Sequence, residues 1–208
     1  MDENKVWDNP LLAHSHSGEV EIVYNMLTSL APNSKILDVG CGYGALEILL
    51  FPKFNNVVGV DVSKEVLKRA RANVPKYTYF HVDINKGLPF GDKKFDCVVC
   101  IEVLEHIMNP VFAIREMMRV GKRMIIACPN GFWTELRPTT RGYLSVPNYV
   151  HFTEKQLKNI IREFGGKIIS FKYFTTTKHK FLRCLRNLFP RFFCSSFIVD
   201  MTIESEKK

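Results

Sequence analysis

The chain has 208 residues, 46% hydrophobic and 24% charged, with a formal net charge of +8. That mix excludes wholesale disorder, collagen and coiled coil, and the length suits one domain, 1–208, with its own core. No apolar run approaches the roughly 18 residues of a membrane span, and the acidic, polar N-terminus lacks the parts of a signal peptide, so the cytosol is expected.

Residues 1–17 read as a loose arm. Val20, Val23, Tyr24 and Leu27 then recur at helical spacing. KILDVG is a short apolar strand, YGALEILLF a mostly buried helix, and NNVVGVDVS a second strand. Ser63 is placed to cap the next helix, whose Leu67, Ala70 and Val74 share a face. YTYFHVD and KFDCVVCIE read as strands three and four, the latter followed by helical text through Val120. KRMIIACPN is a fifth strand. Residues 130–150, rich in Gly, Pro, Thr and aromatics, lack a period and read as a long substrate-side loop. Thr153 and Gln156 form a capping box, and Leu157, Ile160, Ile161 and Phe164 make the stripe of a helix that Gly165 and Gly166 end. KIISFKYF and SSFIVDMTIES are the last two strands. Short continuous apolar strands alternating with helices predict an α/β fold, a Rossmann-like doubly wound sheet covered on both faces.

Six cysteines are scattered along the chain. Cys97 and Cys100 form a CxxC, but on a strand residues three apart face opposite sides, so buried reduced thiols are expected rather than a metal grip.

Ligands of such sheets bind beyond the carboxyl ends of the strands. Those ends carry Asp38, then Gly40, Gly42 and Gly44, then Asp61, Asp83, and Ile101 with Glu102. Gly40 to Ala45 also satisfies G-x-G-x-x-A, a weak sign of a dinucleotide. Asp38 decides against it. Its charge, just before the glycine loop, opposes a pyrophosphate and suits an ammonium group. Asp61 suits ribose hydroxyls and Asp83 an exocyclic amine. S-adenosylmethionine has an ammonium, a carboxylate, a ribose and an adenine but no phosphate. Its carboxylate can meet the backbone donors that follow the loop. Each acid alone has a plainer reading, as a helix cap or surface turn.

With these residues in view, the chain resembles the class I S-adenosylmethionine-dependent methyltransferases. ILDVGCGYG is similar to their first motif, VVGVD to the second, FHVDI to the third and FDCVVCIEVLEHI to the fourth, over roughly residues 18–203. The resemblance implies a seven-stranded sheet whose last strand is antiparallel. It implies that Asp38, Gly40, Gly42 and Gly44 frame the methionine end, that Asp61 binds the ribose and Val62 flanks the adenine. It also implies that Asp83 and Ile84 hold the adenine and Ile101 lies near the methionine.

Glu102, Glu105 and His106 follow strand four at i, i+3 and i+4, one face of a helical turn, and His151 comes after the long loop. Three readings compete. Glu102 is a capping or pairing group and His106 a packed histidine; or His106 or His151 is a general base for an acceptor hydroxyl, with Glu102 beside it; or the four hold a divalent cation. The E-x-x-E-H pattern with a later His is similar to small-RNA terminal 2′-O-methyltransferases, and E-V-L-E-H to ubiquinone-pathway O-methyltransferases. The site is expected to work without a metal, with His106, Glu102 and His151 facing the transfer pocket. His14, His16, Trp133, Arg137, Arg141 and Tyr143 are further candidates for its walls.

From Phe164 to Val199 there is no Asp or Glu, while Lys178, Lys180, Arg183, Arg186 and Arg191 interleave with Phe181, Leu185, Leu188, Phe189 and Phe192. Such a stretch, 178–193, can lie on a membrane or meet an anionic polymer. A locally packed amphipathic connection, its apolar side chains buried, is the expectation. The function expected is methyl transfer to a hydroxyl of a small molecule. The alternatives are an RNA methyltransferase, metal-assisted at the 2′-hydroxyl, and a non-catalytic S-adenosylmethionine-binding module. Nucleic acid is the less favoured partner, and no motif specifies an oligomeric state.

Overall fold

The computed structural model describes residues 17–131, 150–175 and 188–203. Helix α1 (Ser17–Leu27) precedes β1 (Lys35–Val39), α2 (Ala45–Leu50), β2 (Asn56–Asp61), α3 (Lys64–Asn73) and β3 (Thr78–His81). Then come β4 (Cys97–Ile101), α4 (Pro110–Val120), β5 (Arg123–Pro129), α5 (Glu154–Glu163), β6 (Gly166–Phe174), α6 (Pro190–Phe193) and β7 (Ser196–Ile203). The strands form one sheet in the order β3-β2-β1-β4-β5-β7-β6. All ladders from β3 to β5 are parallel, and β7 runs antiparallel to both β5 and β6. The Rossmann-like, doubly wound, seven-stranded sheet read from the sequence is the fold observed.

Each face of the sheet carries its own core. Val23 and Leu27 of α1, with Leu46, Leu50, Leu67 and Ala70, cover Ile36, Cys97, Val99 and Ile125. Ile114, Met117, Leu157 and Ile161 of α4 and α5 cover Leu37, Val98, Cys100 and Ile126 on the other face. Burying such a side chain is worth roughly 1.5–3 kcal/mol, so alternate residues of one strand stabilise opposite layers. Cys97 and Cys100 divide between the faces in this way, both fully buried and both thiols free.

Local signals set the boundaries. Ser63 Oγ accepts from the Val66 amide at 3.2 Å, and the Thr153–Gln156 capping box is formed in both directions. The helix after β4 begins later than its text suggested. Residues 104–106 make only a 3₁₀ turn, and α4 starts at Pro110, with Asn109 Oδ1 accepting from the Phe112 amide at 3.1 Å. Proline at the first helical position explains the restart, because its missing N–H costs nothing there.

One expectation is corrected. In the stretch 178–193, Leu188, Phe189 and Phe192 are exposed rather than buried. The buried Asn130 side chain donates to the carbonyls of Arg191 and Cys194, both at 2.9 Å, and so fixes the backbone of α6. Cys194 goes inward while Phe189 and Phe192 go out. Phe181 and Leu185 lie outside the described residues, as do 1–16, most of the 130–150 loop, and His14, His16, Trp133, Arg137, Arg141 and Tyr143. Among the described residues no helix is long and apolar enough to cross a membrane.

Candidate active site

The strand order reverses direction between β1 and β4, and the crevice at that switch point is where such sheets take ligands. The loop after β1 lines it. The amides of Gly40 and Cys41 both donate to the Val60 carbonyl, at 2.8 and 3.0 Å, which bends the chain sharply off the strand. Gly40 has φ +75°, and a Cβ there would lie 2.3 Å from Val103 Cγ2, so a side chain is excluded twice over. A Cβ on Gly42, by contrast, would meet nothing within 4 Å. The loop is therefore open above Gly42 and closed below Gly40.

Asp61, at the end of β2, ties this loop down. One carboxylate oxygen accepts from the Gly42 amide at 3.1 Å and the other from the Ser63 amide at 2.9 Å. Burial pushes its carboxyl up, while these backbone bonds oppose the shift. Asp38 is almost fully buried. Burial first, then the Asp61 carboxylate, raises its carboxyl to about 7. Val62 follows, its carbonyl 2.8 Å from His81 Nε2. Asp83 caps the turn at 84–86: its Oδ1 accepts from the Asn85 amide and side chain at 3.0 and 3.1 Å, and Lys86 lies 3.6 Å from Oδ2. Here the plainer cap reading is realised, with lone pairs left for a ligand. Ile84 is buried beneath that turn and Ile101 is half-buried at the end of β4.

A deep acid escaped the sequence reading. Glu47 in α2 is fully buried, and neither carboxylate oxygen has a hydrogen-bond partner among the described residues. Burial, then the neighbouring Asp38 carboxylate, holds it well above the usual carboxylate range. A lone acid inside the apolar run ALEILL was the available signal.

The turn after β4 is built differently. Glu102 adopts φ +53°, uncommon for a residue with a side chain, while its amide still donates to the Ala127 carbonyl at 2.8 Å. The three-residue face inferred from an α-helical turn is thus corrected: Glu102 sits in a left-handed bend before the 3₁₀ turn that carries Glu105 and His106. The bend still brings the acids together. The Glu102 and Glu105 carboxyls lie close enough to shift each other's ionisation. Burial raises both, Glu105 to about 7, and Glu105 and Glu19 add to the rise at Glu102. Glu19, buried at the start of α1, was also missed by the sequence reading; the Ser196 hydroxyl hydrogen-bonds both Glu19 and Glu102. His106 Nε2 lies 3.6 Å from Glu105 Oε1. Val150 next to His151 donates its amide to the Glu105 carbonyl at 3.4 Å, and His151 Nε2 is buried without a hydrogen-bond partner among the described residues. Among the described residues no group of three or more His, Cys, Asp or Glu is arranged to hold a metal ion.

Residues 37–124, β1 through the start of β5, match the family described as Methyltransferase domain. Over those residues the chain is similar to methyltransferase domains. It is 28% identical over 186 residues to an O-methyltransferase, cnsE, of Penicillium expansum, covering 78% of this chain and 64% of that protein. It is 30% identical over 133 residues to the ubiquinone biosynthesis O-methyltransferase of Hydrogenovibrio crunogenus, covering 62% of this chain and 52% of the relative. The chain thus spans between about half and two thirds of these relatives. Magnesium protoporphyrin IX methyltransferase from Synechocystis, solved with bound SAH, shares the fold at a TM-score of 0.67 and 22% identity, over 91% of this chain and 84% of its own. The cofactor of this family is S-adenosylmethionine, and the domain's site fits it. Asp38 and Asp61 put two carboxylates at the glycine loop, a donor set compatible in chemistry with an ammonium and ribose hydroxyls, and the space above Gly42 is open.

Proposed function

We propose that this methyltransferase domain is an enzyme that moves a methyl group from S-adenosylmethionine to a hydroxyl of a small molecule. The observation that carries the reading is the acid-lined glycine loop. Asp38 is buried at its floor and Asp61 is bound to its backbone at Gly42, so the loop favours a cationic, ribose-bearing ligand over a phosphate. The curated relatives named as O-methyltransferases support hydroxyl as the acceptor. Buried, free cysteines support a reducing compartment, the cytosol.

When bound, S-adenosylmethionine supplies an electrophilic methyl group on a sulfonium. The chain's own residues then have two tasks. Asp38, Asp61, Val62, Asp83, Ile84 and Ile101 hold the donor so that the acceptor can approach in line, and positioning alone can supply several kcal/mol of the acceleration. His106, with Glu102 and Glu105 behind it, takes the hydroxyl proton as the C–O bond forms and the C–S bond breaks. A carboxyl raised to about 7, as at Glu105, can exchange a proton near neutral pH. His151 completes this side. In this reading no metal is needed.

The test is transfer of labelled methyl from S-adenosylmethionine to panels of phenols, sugars and lipid-linked alcohols, with and without a chelator. A methylated small hydroxyl compound, formed equally with chelator, is the expected result. Transfer to RNA alone, or turnover abolished by chelator and restored by Mg or Mn, replaces this reading with metal-assisted RNA methylation. Tight cofactor binding without transfer to any acceptor marks a binding module.

A further inference from the structure

The edge of the sheet at β3 carries an apolar surface that the proposed chemistry does not use. Phe80 on β3 is 44% exposed, and its ring lies 6.0 Å from that of Phe90, centroid to centroid. Met108 is 70% exposed, and Val111 and Phe112 in the first turn of α4 are exposed beside it. The turn at 84–90 joins the two groups: a Cβ on Gly87 would lie 3.7 Å from Phe112 Cζ, and the Met108 amide donates to Asn85 Oδ1 at 3.2 Å. Large apolar side chains grouped on a surface mark an interaction site more often than scattered ones do.

The rim of this surface is basic. Lys86, Lys94 and Arg115 are exposed around it, Lys94 standing 5.0 Å over the Phe90 ring. Nearby acids are engaged: Glu116 and Asp92 both pair with Arg119 at 2.8 Å, and Asp83 faces Lys86. Two occupants are disfavoured physically. A bilayer would leave the open backbone edge of β3 without water or partner, which lipid does not tolerate. A second copy would bring the same basic rim and a charge of +8 against itself. Arg71 already donates to the Tyr79 carbonyl on this edge at 2.8 Å, so recognition rests on side chains rather than on a full added strand.

We propose that the Phe80–Phe90–Met108–Phe112 surface is a docking site for a protein partner with an apolar centre and an acidic rim. The surface flanks the turn that carries Asp83 and Ile84, so a docked partner sits beside the cofactor crevice. It is separate from the methyl-transfer reading and survives the failure of that reading.

The probe is the full chain with benzoylphenylalanine at Phe112, irradiated in an extract of the source cells, against a control with the same group at the exposed Ile169 of β6. The expected result is one acidic protein cross-linked from position 112 and absent from position 169. Purified, that protein should bind the unmodified chain one to one. Phe80→Asp and Met108→Asp should each weaken binding at least thirtyfold, the scale of an interface hot spot, with unchanged circular dichroism and unchanged S-adenosylmethionine affinity. No cross-link above the control overturns the proposal. So does a cross-link to a second copy, to nucleic acid, or to a protein whose purified affinity Phe80→Asp leaves intact.

Discussion

The two halves of the candidate site are held by opposite means. On the cofactor side, the Asp61 carboxylate accepts one backbone amide on each oxygen, and the glycines take the backbone shapes that only glycine adopts freely. On the acceptor side, a residue with a side chain, Glu102, takes such a shape instead, next to the buried Glu105 carboxyl that burial raises to about 7. The first arrangement holds its loop by backbone bonds before any ligand arrives, although the buried Glu47 beside Asp38 keeps both carboxylate oxygens without a partner among the described residues. The second stores strain and unused hydrogen-bonding capacity, the features that a reacting group can draw on. The contrast teaches where chemistry specific to this chain resides: in the bend after β4, not in the glycine loop.

Breaking the acceptor side should cost the most. His106→Ala is expected to lower turnover by about 10²–10⁴ while leaving cofactor affinity nearly intact, as for loss of a general base. Glu105→Gln, which keeps the shape but removes a carboxyl that titrates near neutral pH, should move the pH–rate profile. Loss of thermal stability with little change in rate would assign His106 to packing instead.

The cofactor side should fail by folding rather than by rate. Gly40→Ala forces a Cβ into Val103 and a left-handed backbone on alanine, at a cost of at least about 1 kcal/mol from the backbone alone. Denaturant melts should show that loss. Adding Val103→Ala should recover the part due to the clash and leave the backbone part.

A pH experiment compares the halves directly. Asp38 and Glu105 both have folded-state carboxyls raised to about 7, from 3.8 and 4.5. In that window the folded state binds more protons than the unfolded, so stability is full below the ordinary carboxylate range and falls as pH rises towards 7. Each group should contribute a decline of the order of 3–4 kcal/mol at most between about pH 4 and 7. Asp38→Asn and Glu105→Gln should each flatten the slope, one from each half. The smallest effect expected concerns the cysteines. Burial raises the Cys97, Cys100 and Cys128 thiols, so native-state alkylation should be slow and should change neither half.

How much of this was legible in the sequence follows from the same contrast. The sheet, the Ser63 and Thr153 caps and the acids ending β1, β2 and β3 were readable, because strand periodicity and capping are local rules. Glu47 and Glu19 were passed over: Glu47 stands out only as a lone acid in an apolar run, and Glu19 shares its helix with the exposed Glu21, so its burial depends on partners far away in the chain. The Glu102 bend was misread as a helical turn, because i, i+3, i+4 spacing says nothing about a positive φ. The exposed Leu188, Phe189 and Phe192 were misread as packed, because the anchor that turns them outward, Asn130, lies some sixty residues earlier. The surface at Phe80 and Phe112 was invisible for a similar reason: its residues come from separate elements that only the fold brings together.

The measurement that bears most directly on the central claim is calorimetric titration of S-adenosylmethionine into the wild-type chain and Asp61→Ala, with NADH as the competing ligand. Binding of S-adenosylmethionine to the wild type, weakened at least tenfold in Asp61→Ala by loss of charge-assisted hydrogen bonds worth roughly 1.5–3 kcal/mol, is the predicted result. Equal affinity in the variant, or tighter binding of NADH, would contradict the account.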